Sequence, residues 1–226
     1  MITSLNLKDL AGYVSRQVNN IFPDNDTVNF LEETHLINDA LQRLEYCFKR
    51  VSLKHYFNGS EVIFNHLFSD HYVMFLWFLS NSVYKEKGKC SLANKIYYLN
   101  KTLHGLDCMY DTEMPSIFLL FHSSGTMLGK ASYGEYFIAL HGCTVGSHKG
   151  QYPVLGKGVS LTANSSVIGN CVIGNRCTIS TRTTLFSKNL PADTTAFINF
   201  DSGKLELRQT QQCYAQQFFN VDLKNI

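Results

Sequence analysis

The sequence has little net charge, no long apolar run and none of the common nucleotide- or metal-binding motifs. Twenty basic and eighteen acidic side chains in 226 residues leave a net charge of +2. This balance gives no reason to expect nucleic acid or an anionic membrane as the main partner. G-x-G-x-x-G, G-K-[ST] and H-E-x-x-H motifs are all missing, so phosphate-loop and zinc-protease chemistries are not indicated.

Its apolar runs and its cysteines exclude further classes. The longest apolar run, Tyr72–Leu79, is far shorter than the ~20 residues of a membrane-spanning helix and predicts a buried helix. The N-terminus lacks the basic and apolar regions of a signal peptide, which predicts a cytoplasmic protein. Seven cysteines without a C-x-x-C pair favour reduced thiols over disulfides or a zinc site, and we expect no metal.

Residues 1–106 have the spacing of helices. Two segments carry apolar residues at every third or fourth position, with polar residues on the other face. The second begins at Ser91, a candidate N-cap, and ends at Gly105, a candidate C-cap. Together with the apolar run and an N-terminal segment, they predict a domain of about four to six helices. Their apolar positions are Ile37, Leu41, Leu44, Phe48 and Val51, then Leu92, Ile96, Leu99 and Leu103.

A six-residue repeat replaces the helical spacing in the second half. Aliphatic residues occupy every sixth position, and small residues follow four positions later. This pattern is typical of a triangular β-solenoid, in which each hexapeptide forms one short strand and one corner and about 18 residues complete a coil. The aliphatic positions are Leu155, Leu161, Val167, Ile173, Ile179 and Leu185, and the small ones are Val159, Ser165, Cys171, Cys177 and Thr183.

The repeat also predicts which residues stack inside the solenoid. Leu155 should lie over Ile173 at the ~4.8 Å spacing of paired strands. Met114 and Leu120 keep the same step upstream, which places the start of the solenoid near residue 108. Residues 129–153 break the rhythm, and within them Ser147–Tyr152 is predicted to form a protruding loop of the kind that often carries function.

Three segments after residue 106 have a more specific pattern. The first, LDCMYDTEMPSIFLLFHSSGTMLG, contains His122 with a glycine shortly after it and Asp107 fifteen residues before it. LHGCTVG and LPADTTA follow further along the chain. These segments resemble the catalytic stretch, the pre-loop segment and the helix exit of the serine acetyltransferase family of hexapeptide-repeat acyltransferases. The likeness extends over residues 60–196 and is strongest after 106.

This resemblance implies an α+β fold and an activity. The expected fold is an α-helical domain (1–106), a left-handed parallel β-helix (107–198) and a C-terminal tail (199–226). The expected activity is acetyl-CoA-dependent O-acetylation by direct transfer, without a covalent acyl-enzyme. The resemblance also implies a homotrimer or a multiple of trimers, with the coenzyme A groove between neighbouring solenoids.

His122 is the predicted general base, with Asp107 as its partner. Fifteen residues is three short of a full coil, so the two side chains are expected to meet at one corner. There the aspartate would accept the ring N–H, fix the tautomer and support the imidazolium that forms during the reaction. The alternative is a histidine that serves only the structure of the corner.

Two departures from the family predict a neutral acceptor. Where the family has an Arg-His-Pro triplet that helps to hold the amino acid's carboxylate, this chain has Gln151, Tyr152 and Pro153. An acidic residue that helps to hold the amino group is replaced by Phe121. Burying an unpaired ammonium or carboxylate costs several kcal/mol, so a sugar or similar neutral hydroxyl compound, stacked on Phe121 or Tyr152, is favoured over serine.

The remaining candidate residues would bind substrates around that base. His141 and His148 are each compatible with acceptor binding or with a solvated side chain. Backbone N–H groups between residues 142 and 146 are expected to hold the oxyanion, whereas Cys143 is expected to be a buried thiol. The predicted coenzyme A contacts are the backbone of Gly146, Ser147 and Ala163 and the charges of Lys149 and Arg182.

Three other functions remain open on the sequence. The first is serine O-acetylation for cysteine synthesis. The second is an inactive solenoid retained as a binding or assembly subunit. The third is N-acetylation of an amino sugar, because an amine needs less help from a base.

Overall fold

The computed structural model describes residues 1–226 and consists of four helices followed by a parallel β-solenoid, which confirms the predicted fold class. The helices are α1 (Leu7–Ile21), α2 (Thr34–Phe48), α3 (Ser69–Lys87) and α4 (Ser91–His104). The strands are β1 (Ile2–Thr3), β2 (Ile63–Phe64), β3 (Phe118–Leu120), β4 (Met127–Leu128), β5 (Ser132–Tyr133), β6 (Phe137–Ala139), β7 (Thr144–Gly146), β8 (Val154–Leu155), β9 (Ser160–Leu161), β10 (Ser166–Ile168), β11 (Val172–Ile173), β12 (Thr178–Ile179), β13 (Thr184–Phe186), β14 (Thr194–Ile198) and β15 (Leu205–Gln209).

The helices bury the faces that their apolar spacing predicts, except for one residue of α4, and α4 also begins one residue earlier than its predicted cap implies. All five predicted apolar positions of the α2 segment are buried, and the run at 72–79 is buried on every side of α3. Gly105 ends α4 in the left-handed conformation, as predicted. Ser91, however, is the first helical residue rather than the N-cap, and Leu103 is 43% exposed because it faces a surface pocket. None of the four helices combines the length and apolar composition needed to cross a bilayer.

Three parallel sheets form the faces of the solenoid. Their strand orders are β14-β12-β9-β6-β3, β13-β10-β7-β4 and β11-β8-β5. The predicted stacks are confirmed, since Leu155 pairs with Ile173 and Leu161 with Ile179. The small residues four positions after the aliphatic ones are all fully buried at the corners, because a larger side chain would not fit where the chain turns.

The corners require unusual backbone conformations and close packing. Asn164, Arg176 and Arg182 adopt positive φ angles near 60° at three turns of the solenoid, a region that side chains with a Cβ seldom occupy. At Gly156 the neighbouring coil is so close that a Cβ would lie 2.5 Å from Asn175 Oδ1. The stacked coils therefore leave room only for glycine at that position.

The predicted break over residues 129–153 is smaller than expected. β5, β6 and β7 continue the solenoid through this stretch, and they pair in register with β8, β9 and β10. The true insertion lies between Val145 and Leu155, which are ten positions apart where the repeat uses six. It forms a tight turn closed by backbone hydrogen bonds between His148 and Gln151. A ring contact of 4.8 Å between His148 and Phe186 holds it against the edge of the solenoid two coils further along, since β7, β10 and β13 are consecutive in one sheet.

The C-terminal segment is folded against both halves of the molecule. β15 pairs antiparallel with β14 at the end of the solenoid, and the chain then returns to the helices. There Phe219 forms a bridge with Val51, the backbone N–H of Ser52 donates to the carbonyl of Phe218, and both phenylalanines are buried. One continuous apolar core includes the helices, the solenoid and this segment. The boundaries proposed at 106/107 and 198/199 stay a prediction.

Candidate active site

His122 lies on an enlarged corner of the first coil. Leu120 pairs with Ala139 and Leu128 with Val145 of the next coil. Leu120 and Leu128 are eight positions apart, whereas Ala139 and Val145 are six apart. The two extra residues make the turn bulge outward. His122 occupies it with a positive φ of 52° and a side chain that is 63% exposed. The corner thus presents an imidazole ring to solvent on a rigid scaffold.

A buried carboxylate from the helical half supports this ring. Asp70, in the first turn of α3, is only 4% exposed, and its Oδ1 accepts the backbone N–H of His122 at 3.1 Å. Its Oδ2 lies 3.0 Å from His122 Nδ1. Burial raises the pKa of Asp70, while the facing imidazole opposes that rise. With Nδ1 against the carboxylate, Nε2 is the ring nitrogen left to take a proton from a ligand.

The predicted contact between Asp107 and His122 is not formed. Asp107 bridges to Met127, twenty positions later, because the enlarged corner lengthens this coil and carries the aspartate past His122. Its carboxylate accepts hydrogen bonds from Tyr97 at 2.6 Å and Lys101 at 2.7 Å. Burial would raise the pKa of Asp107, but these two bonds hold it below its usual value. Asp70 therefore occupies the place that the sequence assigned to Asp107.

A pocket of about 230 Å³ opens beside His122 where the helices meet the solenoid. It is shaped by the N-terminus of α3, the C-terminus of α4 and the enlarged corner. Serine hydroxyls, two histidines and apolar side chains line it, and no lysine or arginine does so. The lining residues are Ser69, Asp70, Val73, Leu103, His104, His122, Ser123 and Ser124.

The predicted acceptor-binding residues are spread over two corners. Phe121 packs on the ring of His122 at 4.1 Å and on Phe218 at 5.2 Å. His141 is exposed at the same corner, one coil further along, since the register aligns Leu120 with Ala139. His148 and Tyr152 lie beyond β7, at the next corner. A pocket formed jointly by Phe121 and Tyr152 is therefore not present within one chain, because a face of the prism separates the two rings.

An open groove of about 840 Å³ runs from the His122 corner toward the C-terminal hairpin. Leu140 and Ala163 line its near end, one and two coils from His122, and Arg208 lies with Phe200 and Tyr214 toward the hairpin. Its volume is within the roughly 300–1,000 Å³ typical of sites for organic ligands. The groove is large and elongated enough for a cofactor-sized molecule.

The predicted coenzyme A contacts divide between this groove and the second corner. Ala163 lines the groove, and Arg182 follows at the same corner with its side chain exposed. Gly146 is instead the last residue of β7, and Ser147 and Lys149 belong to the turn after it. The two groups come from different corners and do not meet within one chain.

The expected oxyanion donors are engaged elsewhere. The N–H of Gly142 donates to Ser124, and the N–H of Thr144 donates to Ser165. Cys143 is fully buried, and burial raises the pKa of its thiol, in keeping with the predicted structural thiol. At this corner the backbone N–H groups of His141 and Ala163 donate to no protein group. They are the donors that remain for a ligand.

Sequence reasoning missed three residues of the site. Asp70 was hidden at the edge of an apolar helix, although two polar residues directly before an apolar run are a weak sign of a buried polar site. His104 lay in a helical segment without a motif, and Arg208 lay in the expected tail. Only the packing of distant segments shows that they approach the corner or the groove.

Comparison with known proteins gives matches of fold only. No family model and no curated protein matches the sequence. A Neisseria gonorrhoeae serine acetyltransferase in complex with serine superimposes with a TM-score of 0.64 at 18% identity, over 85% of this chain and 82% of that one. A serine acetyltransferase in complex with CoA gives 0.62 at 16% identity, over 85% and 82%. A Brucella melitensis serine O-acetyltransferase gives 0.65 at 15% identity, over 92% and 83%. The chain therefore has the fold of the hexapeptide-repeat transferases.

Proposed function

We propose that this protein is an acetyl-CoA-dependent O-acetyltransferase whose acceptor is a sugar or another neutral hydroxyl compound. The observation that carries the proposal is His122, exposed on its corner with a buried carboxylate behind Nδ1. An imidazole held in this way is suited to general base catalysis. The fold supports the same class of reaction, since solved structures with this fold include a serine acetyltransferase in complex with CoA.

The reaction is a direct transfer. His122 Nε2 takes the hydroxyl proton as the acceptor oxygen attacks the thioester carbonyl carbon, and Asp70 stabilises the imidazolium. The N–H groups of His141 and Ala163 are the candidate oxyanion donors. The tetrahedral intermediate then collapses, the carbon–sulfur bond breaks, and the proton on Nε2 passes to the leaving thiolate. The products are an acetyl ester and coenzyme A.

Acetyl-CoA would lie along the groove below His122. The thioester would reach the corner at Ala163, and the pantetheine arm would follow the groove toward the hairpin. Arg208 lines this groove, and the exposed Arg182 directly follows Thr181 of its lining; both are candidates to hold the phosphates, because guanidinium groups suit phosphate oxygens. The acetyl group would then pass directly from acetyl-CoA to the acceptor, without a covalent acyl-enzyme.

The acceptor pocket favours a neutral compound. A free amino acid would need a cationic partner for its carboxylate, and no lysine or arginine lines the pocket. A carboxylate buried there would lack compensation and cost several kcal/mol. Hydroxyl-rich compounds find donors and acceptors in Ser69, Ser123 and Ser124 instead.

Serine O-acetylation is the second candidate function. It is favoured by the likeness to a serine acetyltransferase solved with serine, which is a likeness of fold. N-acetylation of an amino sugar uses the same groups with an amine in place of the hydroxyl. Thiol release with different acceptors distinguishes acetylation of a neutral hydroxyl compound, of serine and of an amino sugar.

A homotrimer would complete the site. The outward faces carry exposed apolar side chains, among them Val154 and Val172 on one sheet and Met127 and Phe186 on another. Burying such faces between copies is favourable, and cyclic packing would bring the turn at residues 147–152 of one copy near the His122 corner of the next. Light scattering at assay concentration is expected to give three chains or a multiple of three. A fully active monomer would exclude this assembly.

The test of function is thiol release from acetyl-CoA with a panel of sugars, polyols, amino sugars and L-serine. We expect release with a neutral hydroxyl acceptor, and its loss in His122→Ala with unchanged thermal unfolding and unchanged coenzyme A binding by calorimetry. His35→Ala, at an exposed histidine in α2, is the control. Turnover of serine alone would establish the second candidate. No binding of coenzyme A by the wild-type protein would indicate an inactive binding or assembly subunit.

A further inference from the structure

His104 is the second histidine of the pocket beside His122, and the backbone holds it there. It is the last residue of α4, and Gly105 follows with φ +65°. A Cβ on Gly105 would lie 3.0 Å from the backbone nitrogen of Gly125 and 3.7 Å from Ser124 Oγ. The end of α4 thus abuts the enlarged corner. His104 and His122 border one pocket, although the helical and solenoid halves supply them separately.

A buried hydrogen-bond chain determines which nitrogen of His104 carries the proton. Asn100 is buried, and its Nδ2 donates to the carbonyl of Val73 at 3.0 Å. Since a carbonyl only accepts, this bond fixes the orientation of the amide and leaves Oδ1 facing His104. His104 Nδ1 lies 2.8 Å from that oxygen, so Nδ1 carries the hydrogen.

The opposite nitrogen of His104 is consequently a fixed acceptor. Nε2 has a lone pair and no partner in the chain. Burial lowers the pKa of His104 to about 4, so the ring is neutral at physiological pH and does not donate from Nε2. A ligand in the pocket must therefore offer His104 an O–H or N–H group.

We propose that His104 is a specificity-determining residue that accepts a hydrogen bond from a second hydroxyl of the acceptor, next to the one that His122 deprotonates. The proposal rests on the proposed function. It narrows the acceptor to a polyol or sugar with two neighbouring hydroxyl groups. Both histidines border a pocket of about 230 Å³, which is below the range of roughly 300–1,000 Å³ for drug-sized ligands and suits a compact group.

The same geometry disfavours a carboxylate next to the reacting hydroxyl. A carboxylate offers only acceptor oxygens, and it would face the lone pair of Nε2 without a cation nearby. A vicinal hydroxyl donates to that lone pair and accepts from a serine hydroxyl of the pocket. His104 would accordingly select for the acceptor by hydrogen-bond polarity rather than by charge.

Two variants of His104 separate this role from a structural one. In His104→Asn, the amide nitrogen takes the place of Nδ1 and keeps the bond to Asn100, but the acceptor at Nε2 is lost. In His104→Gln, the side-chain oxygen reaches the place of Nε2 and still accepts. The probe is the best acceptor from the thiol-release screen, compared with its mono-deoxy analogues.

We expect wild-type protein to prefer the intact acceptor over one deoxy analogue by about tenfold in kcat/KM, the size of one hydrogen bond to a neutral group. His104→Asn should raise KM for the intact acceptor about tenfold and abolish the preference, and His104→Gln should restore most of it. A preference that persists in His104→Asn would overturn the inference.

Acceptor binding without acetyl-CoA, followed by NMR, distinguishes the two proposals. Binding of the intact compound that depends on His104, in a protein that releases no thiol, would support this inference and overturn the proposed function. If thiol release depends on His122 while acceptor binding and the preference for the intact acceptor are unchanged in His104 variants, the proposed function is supported and this inference is overturned. Absence of any polyol binding to the wild-type protein would also overturn the inference.

Discussion

Asp70→Asn is expected to remove most of the activity without weakening the fold. The neutral amide can still accept the backbone N–H of His122 through its oxygen. Its NH₂ group, however, would face Nδ1 where Oδ2 now lies 3.0 Å away. Donation from that NH₂ places the imidazole proton on Nε2, the nitrogen that accepts the substrate's proton in the proposed mechanism. The variant would hold His122 in the wrong tautomer.

The expected loss of kcat in Asp70→Asn follows from the contact between Asp70 and His122. The ion pair that Asp70 Oδ2 forms with Nδ1 of the protonated ring, at 3.0 Å, contributes about 1.5–3 kcal/mol, the range for contacts to charged groups, and each 1.36 kcal/mol is tenfold in rate. Since the ring of His122 is more exposed than buried, solvent screens part of the interaction. We therefore expect kcat to fall about 30- to 100-fold, which is no more than the lower limit of the ~10²–10⁴ that general base catalysis supplies.

The stability of the two aspartate variants should change in opposite ways. Because burial raises the folded-state pKa of Asp70, its ionised form costs stability as pH rises from ~3.9 through that raised value. Asp70→Asn removes this cost at pH 7. The pKa of Asp107 is lowered against the effect of burial by Lys101 and Tyr97. Its charge thus stabilises the fold above ~3.9 and ceases to do so as pH falls through the folded value.

Thiol release and thermal unfolding of both variants form one experiment. Asp70→Asn should lose activity, and its melting temperature at pH 7 should rise above that of the wild-type protein because the cost of ionising a buried carboxyl is removed. Asp107→Asn should keep kcat within a few-fold and lose about 1 kcal/mol of stability at pH 7, since its ion pair with Lys101 is half exposed. In His122→Ala, adding Asp70→Asn should have no further effect on kcat. Full activity in Asp70→Asn, with the loss confined to Asp107→Asn, would refute the assignment.

Two predictions concern the scaffold, and both are read from denaturant unfolding. Gly156→Ala should lower the free energy of unfolding by about 3 kcal/mol because its Cβ would overlap Asn175, while Gly150→Ala, with open space but a positive φ, should cost about 1 kcal/mol; equal losses would contradict the close-packing argument. Phe219→Ala should cost about 3–5 kcal/mol because the ring is buried between the C-terminal segment and the core, whereas Phe200→Ala, 83% exposed, should change stability by less than about 0.5 kcal/mol. A similar change in both variants would mean that the C-terminal segment does not contribute to the core.

The repeat was visible in the sequence because every hexapeptide requires the same kind of side chain at its inward position. A side chain that points inward at Leu155 must be aliphatic, and the next coil imposes the same requirement on Ile173. The stacks and the burial of α3 were predictable for this reason. His122 was found through the resemblance of its segment, in which a glycine follows the histidine closely, to the catalytic stretch of a known family; the enlarged corner was not predicted.

The partner of His122 was not predictable from the same spacing. A uniform coil of about 18 residues puts Asp107 near the corner. The actual coil runs from Asp107 to Met127, and its extra residues carry the carboxylate onto the next face. Asp70 lies 52 positions before His122 in another type of structure. No local pattern encodes that contact, because it depends on how α3 docks against the solenoid.

The sequence by itself determined the helices, the solenoid and the stacked interior, because local periodicity encodes which side chains face inward, and a motif singled out His122 as the candidate base. The tertiary structure alone decided that Asp70 supports His122, that His104 enters the pocket and that residues 210–226 return to cover the helices. These outcomes depend on packing between segments far apart in the chain. A shift of one or two residues in a corner or a helix end changes which side chains meet, while leaving the hydrophobic pattern almost unchanged.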